Sequence, residues 1–404
     1  MKYFLLLLSL TAFSASFDTS KYIVEFDGYL ITDLEDDAHA VKRQINHSMG
    51  PLQNLKYTGK RASLGHKYTF EVISSTPIDS KLRKLSYHFK GELLVEENVD
   101  LDSFKVVVPI RTLATFKKAQ SYRGSCGSNG RLDMFYYNWS PYYKRCGLKK
   151  GEDYEEFTLT SFTKVQDLSS HISDEFLVNG EYNLFYYFGS DYFSNRKFGY
   201  AQNGFNETIR LFKRAGFNYF TDLDETQRIF DSKKLYSRYR RLKGKINGKS
   251  ANVFIVLANP TETTPGTKYE FFKFFKYAFK NASSIQYSGH AGLGSVLDFD
   301  ALEKEYNEKI EYAQNQKQMI YLDGCNTYFY SNAFFFSKKK LANSLVLVSN
   351  AATILTMHYK QAVNVLFDFL QKDRFNNAQV VDAVNYFMRR AKLGEYQMLD
   401  VSSN

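Results

Sequence analysis

Ile285-Gln286-Tyr287-Ser288-Gly289-His290-Ala291-Gly292-Leu293-Gly294 and Met319-Ile320-Tyr321-Leu322-Asp323-Gly324-Cys325-Asn326-Thr327 are the two stretches on which the fold turns. Each opens as a short apolar strand and breaks into turn residues. The first releases a histidine into a glycine-rich turn, and the second releases a cysteine after a glycine. Further strands are expected at Leu184–Phe188, Asn218–Phe220, Val253–Leu257 and Leu345–Val348. Between them the spacing predicts helices over Asn206–Ala215, Lys233–Lys243, Tyr269–Phe279, Leu302–Gln316 and Gln361–Leu370, the first stopped by Gly216. Short apolar strands alternating with helices specify an α/β domain, a mostly parallel sheet with helices on both faces. That domain is assigned to residues 179–404.

Sheets of this kind carry their sites at the carboxyl ends of the strands. If the two quoted strands are neighbours, their tips bring the His290 imidazole to the Cys325 thiol. A cysteine needs a base or a cationic neighbour to become a good nucleophile near neutral pH. Small residues around it admit a substrate backbone, and free N–H groups beside it stabilise a developing oxyanion. Taken without its neighbours, a lone thiol is either a small core residue or a nucleophile.

This pattern resembles the caspase-like clan of cysteine peptidases, which includes caspases, legumain, gingipains and clostripain. The clan has an apolar strand ending in His-Gly, a spacer of a few dozen residues, and an apolar strand ending in a small residue and the catalytic cysteine. The resemblance covers roughly 182–372 and implies a caspase-like fold. It implies that Cys325 is the nucleophile and His290 the base or proton donor, with N–H groups near Ala291 or Gly292 and at Cys325 forming the oxyanion hole. Two positions depart from the clan: Ala291 stands where it has glycine, and Gly324 where it commonly has alanine. By the same resemblance the strand after the cysteine walls the substrate pocket, which makes Ser349 and Asn350 candidates for substrate lining. Asp323, Asp298 and Asp300 lie near the expected site, and each reads either as a group recognising a basic side chain or, more commonly, as a helix cap or surface residue. The implied partner is a peptide or protein substrate, and no cofactor and no metal are called for.

The N-terminal part reads differently. A strand at Tyr22–Phe26, a helix through Leu34, Ala38, Val41, Ile45 and Met49, a strand at Tyr68–Ile73, a helix marked by Leu82, Leu85 and Phe89, and a strand at Leu93–Glu96 predict a small α+β, ferredoxin-like module over 21–101. It resembles the inhibitory propeptide of subtilisin-type proteases, which also opens on a Tyr-Ile-Val strand and ends near Val-Glu-Glu. Residues 102–178 are expected to be a connecting region, with a strand at Phe104–Ile110. The aromatic run Phe135–Tyr143, with the single Trp139, reads either as a stacking surface or as loop packing.

Residues 1–16 carry one positive charge, a short apolar run and small residues, the form of a secretory signal peptide with cleavage expected after Ser16. The run is too short to span a bilayer, and no later segment has spanning length. The chain is therefore expected to be exported, periplasmic or extracellular. In an oxidising compartment three cysteines suggest one pair and one free thiol, and Cys126 and Cys146 are the natural pair. Composition agrees with a folded protein: 404 residues, 44% hydrophobic, 17% aromatic and only 6 Pro exclude a disordered or collagen-like chain. The net charge of +10 admits acidic partners. Eight basic residues with Tyr236 and Tyr239 lie within 233–249, without an acid. They read as a solvated helix face, and export argues against nucleic acid. No zinc spacing, calcium loop, phosphate loop or Gly-x-Ser-x-Gly elbow is present. Two functions remain open: an exported cysteine peptidase, and an exported, catalytically inactive binding protein on the same fold.

Overall fold

The computed structural model describes residues 19–53, 61–96, 99–122, 125–127, 139–165, 169–189, 199–258, 265–291, 296–325, 327–339, 344–350, 367–380, 383 and 399–403. The leader at 1–16 lies outside them.

The N-terminal half begins with β1 (Thr19–Thr32), α1 (Asp37–Asn46), α2 (Met49–Leu52), β2 (Ala62–Pro77) and β3 (Arg83–Glu96). Asp36 caps α1 by accepting from the His39 N–H at 3.0 Å. Ala40, Val41, Gln44 and Ile45 then face inward. Gln44 is fully buried and fully used. Its amide donates to the Tyr29 and Pro109 carbonyls at 2.9 Å and accepts from the Tyr87 hydroxyl at 2.7 Å. A buried amide costs free energy unless paired, so these bonds pin α1 against the strands.

The helix expected around 82–89 is not formed. Leu85, Tyr87 and Phe89 are all fully buried and alternate along β3, which pairs with β1 on one side and β2 on the other. Leu85 and Phe89 fit helical and strand periods alike, and two flanking ladders settle it for the strand. The ferredoxin-like order fails with it. The sheet runs β2-β3-β1-β6 and is antiparallel throughout.

The expected connecting region is part of this same unit. It contains β4 (Lys105–Pro109), α3 (Thr112–Ser121), β5 (Tyr154–Thr158) and β6 (Ser161–Val165). β6 pairs with β1, and Val106, Val108 and Phe157 share one core with Val24, Phe26 and Phe89. Cys126 and Cys146 are disulfide-bonded, and Cys325 lies outside the disulfide. Trp139 is fully buried beside Cys126 and donates its indole N–H to the His47 carbonyl at 2.6 Å, so it packs rather than forming a stacking surface. Phe135–Asn138 lie outside the described residues. Mass spectrometry of the non-reduced protein is expected to find 126 joined to 146. Reduction is expected to cost the N-terminal unit about 3 kcal/mol in urea unfolding. A crosslink to Cys325 would overturn the pairing and remove the thiol.

The second half starts with β7 (Ser170–Ile172), a 3₁₀ turn (Ser173–Phe176) and β8 (Tyr182–Gly189). There follow α4 (Gly199–Arg214), β9 (Asn218–Tyr219), α5 (Leu223–Phe230), β10 (Arg238–Ile246), β11 (Lys249–Ala258), α6 (Pro265–Asn281) and β12 (Ser284–Ser288). Then come α7 (Phe299–Tyr306), β13 (Gln318–Asp323), α8 (Thr327–Tyr330), α9 (Asn332–Lys338), β14 (Leu345–Asn350), β15 (Arg374–Asn376) and β16 (Leu399–Ser403).

The main sheet has eight strands in the order β16-β14-β13-β12-β8-β11-β10-β9. β14, β13, β12, β8 and β11 are parallel; β16 runs antiparallel to β14 at one end, and at the other β10 runs antiparallel to both β11 and the short edge strand β9. Both faces are covered. Leu184, Tyr186 and Phe188 of β8 meet Phe205 and Phe212 of α4, while Phe185 and Tyr187 meet Phe271, Phe274 and Phe275 of α6. A strand buried on both sides needs apolar residues at every position, and aromatic rings fill the wide space under the helices.

Of the expected helices, one is a strand and another is shorter. Residues 238–246 are strand β10, joined to β11 through Asn247 and Gly248 at φ 49° and 77°. An Asn-Gly pair with both φ positive makes the tight hairpin turn, which outweighs the helical spacing upstream. The basic stretch is therefore a strand near the sheet edge, not a helix face. The helix expected over 302–316 stops at Tyr306, where Asn307 turns left-handed at φ 51°. Among the described residues, no helix is long and apolar enough to cross a membrane.

Candidate active site

The chain enters the parallel sheet at β8, adds β11 on one side, then crosses back to add β12 on the other. The connections thus diverge between β8 and β12. At such a switch point the carboxyl ends of the strands leave a crevice, the usual place for a ligand in an open α/β sheet.

The register carries His290 and Cys325 to that edge together. Ser288 of β12 pairs with Phe188 of β8 and with Asp323 of β13. One residue further on, all three strands have glycine: Gly189, Gly289 and Gly324. His290 and Cys325 are each two residues past the paired Ser288 and Asp323. Neighbouring strands lie about 4.8 Å apart, and here the two turns touch. The Gly289 N–H donates to the Asp323 carbonyl at 3.1 Å. A Cβ on Gly324 would sit 3.0 Å from the Gly289 oxygen and 3.4 Å from the Ala291 Cβ. Ser288, Ala291 and Asp323 are buried, whereas His290 and Cys325 are both partly exposed.

Tyr287 supports the histidine turn. It is fully buried, and its hydroxyl donates to the His290 carbonyl at 2.6 Å. Burial, then the nearby Cys325 and Asp323, push its ionisation far above the ordinary phenol range, so it remains a neutral donor.

The cysteine turn is held from beneath. The Thr327 hydroxyl donates to the Leu322 carbonyl at 2.8 Å and accepts from the Asn350 N–H at 3.0 Å. The Asn350 amide donates to the Gly324 carbonyl at 3.1 Å. Thr327 and Asn350 are both fully buried. They clamp the turn on both sides of Cys325 and tie it to β14.

These contacts change the reading of several residues. Asn350 is fully buried with its side-chain amide on the Gly324 carbonyl, so it braces the turn. Ser349 is fully buried in β14, and Asp323 is fully buried at the end of β13, so neither presents its side chain at the surface. Ala291 is 1% exposed and its carbonyl accepts from Val296 at 3.3 Å. Gly292 lies outside the described residues. Asp298 is the N-cap of α7, accepting from Ala301 at 3.0 Å, and Asp300 pairs with Lys338 at 2.6 Å. Tyr287 and Thr327 were not singled out from sequence. The polar Asn326-Thr327 directly after the cysteine was the signal available for the second.

Compared with known proteins, the chain matches no family model, and no curated protein is significantly similar to it.

Proposed function

We propose that this protein is an exported cysteine peptidase of the caspase-like type. The observation that carries the reading is the shared register of His290 and Cys325, each two residues beyond a paired position on adjacent parallel strands. The order β11-β8-β12-β13-β14 around the switch point supports the same resemblance. Cys325 is the one cysteine outside the disulfide. The disulfide and the apolar leader support export.

In this reading His290 takes the proton of the Cys325 thiol. The thiolate sulfur attacks the scissile carbonyl carbon, and backbone N–H groups of the two turns receive the oxyanion. His290 returns the proton to the leaving amine as the C–N bond breaks. Water then attacks the thioester, releasing the acid and restoring the thiol.

A peptide probe with a thiol-reactive carbonyl warhead is expected to label the wild type at Cys325 and to leave Cys325→Ala unlabelled. Absence of labelling in folded wild type, or equal labelling of the variant, would leave the inactive binding-protein reading.

A further inference from the structure

We propose that the N-terminal unit is a permanent brace of the active site, acting through a Tyr328–Glu92 contact, and not an inhibitor that leaves on activation. The proposal rests on the peptidase reading of Cys325 and His290 and concerns what holds the nucleophile in place.

The helix after the cysteine is anchored from two sides. Thr327, its first residue, is tied to β13 and β14 by the bonds described above. Tyr328, the next residue, is fully buried and points the other way. Its hydroxyl donates to Glu92 Oε2 of β3 at 3.2 Å. Glu92 is itself 8% exposed. Consecutive residues of one short helix thus bind the eight-stranded and the four-stranded sheets, three residues or fewer from the nucleophile.

The surrounding contacts leave little slack. Gly65 of β2 lies against the pair. A Cβ there would be 2.7 Å from both the Tyr328 hydroxyl and the Glu92 Cβ, so only glycine lets the strand approach this closely. Lys21 Nζ lies 5.9 Å above the Tyr328 ring, and Lys67 Nζ 5.0 Å above the Phe336 ring of α9. The Tyr330 hydroxyl meets Met49 Sδ at 3.8 Å. An inhibitor that must leave would have to uncover Tyr328 and expose a carboxylate contact that the fold has buried. A four-residue helix has no stability of its own, so its orientation depends on what it packs against. Tyr328 and Glu92 are therefore positioning residues. They act on the geometry of Cys325 through α8, without touching the reacting atoms.

Alkylation by iodoacetamide reads this directly, because the full-length protein has a single cysteine outside the disulfide. The pH midpoint of the alkylation rate is the measured quantity. Tyr328→Phe and Glu92→Ala are each expected to move the midpoint upward by about 0.5 pH unit, on the scale of one hydrogen bond. Glu92→Gln keeps an acceptor oxygen and is expected to retain the wild-type profile, a rescue that a purely structural role would not give. His290→Ala in parallel separates the two ideas. If it moves the midpoint while Tyr328→Phe and Glu92→Ala, natively folded by circular dichroism, do not, the brace is wrong and the dyad stands. If His290→Ala moves nothing, the peptidase reading fails and takes the brace with it. Should Glu92→Ala not fold, Tyr328→Phe, which removes one oxygen from a buried ring, decides alone.

Discussion

Cys325→Ala and His290→Ala are each expected to abolish peptide cleavage by several orders of magnitude while leaving the protein folded. Both side chains stand at strand ends and are partly exposed, so neither replacement opens a core cavity. Circular dichroism and the urea midpoint should stay near wild type. The double variant is expected to be little worse than either single one, because nucleophile and proton carrier act as one unit and removing either removes the step. Turnover of an amide substrate by the three variants measures this. Full activity in Cys325→Ala would end the peptidase reading.

Gly289→Ala is expected to lower kcat by about 100-fold, through geometry alone. The added Cβ would lie 2.6 Å from the Tyr287 hydroxyl, 2.8 Å from its Cζ and 3.3 Å from the Gly189 Cα. The Tyr287 ring cannot swing aside. It is fully buried, 6.0 Å from Tyr187 and 6.1 Å from Phe271 between ring centroids. The strain, about 1–3 kcal/mol, falls on the backbone that Tyr287 holds, the carbonyl of His290. Tyr287→Phe removes only that hydrogen bond and is expected to cost about tenfold, one bond's worth. Combining it with Gly289→Ala deletes the nearest clashing atom and is expected to recover part of the loss. An unchanged kcat in Gly289→Ala would show that the histidine turn does not depend on this contact.

The legible part of the site was the placement of its two candidate residues. A histidine and a cysteine at the ends of two apolar strands, each among glycines, could be read from residue types alone. What holds the turns was not legible. Thr327 and Asn350 are separated by 23 positions and meet only because β13 and β14 pair. The bond from the Asn350 amide to the Gly324 carbonyl likewise joins residues 26 positions apart and has no local signature. The N-terminal half was misread for a related reason. Leu82, Leu85 and Phe89 satisfy a helical period, while Leu85, Tyr87 and Phe89 satisfy a strand period, and local spacing has no means to choose between them.

Local sequence patterns suffice for the mostly parallel sheet in the second half, the pairing of Cys126 with Cys146, and the two strands that end in His290 and Cys325. These follow from local patterns: uninterrupted apolar runs, spacing along the chain, and glycine at the breaks. Tertiary structure alone decided the rest. It set the fold of β3, the placement of β6 beside β1 instead of in a connecting segment, and the seating of Glu92 on Tyr328 across 236 positions of chain. The physical reason is the same in each case. A ladder partner or a buried hydrogen bond supplies free energy only when distant segments meet, and that energy outweighs the small preferences a residue has among its neighbours in sequence.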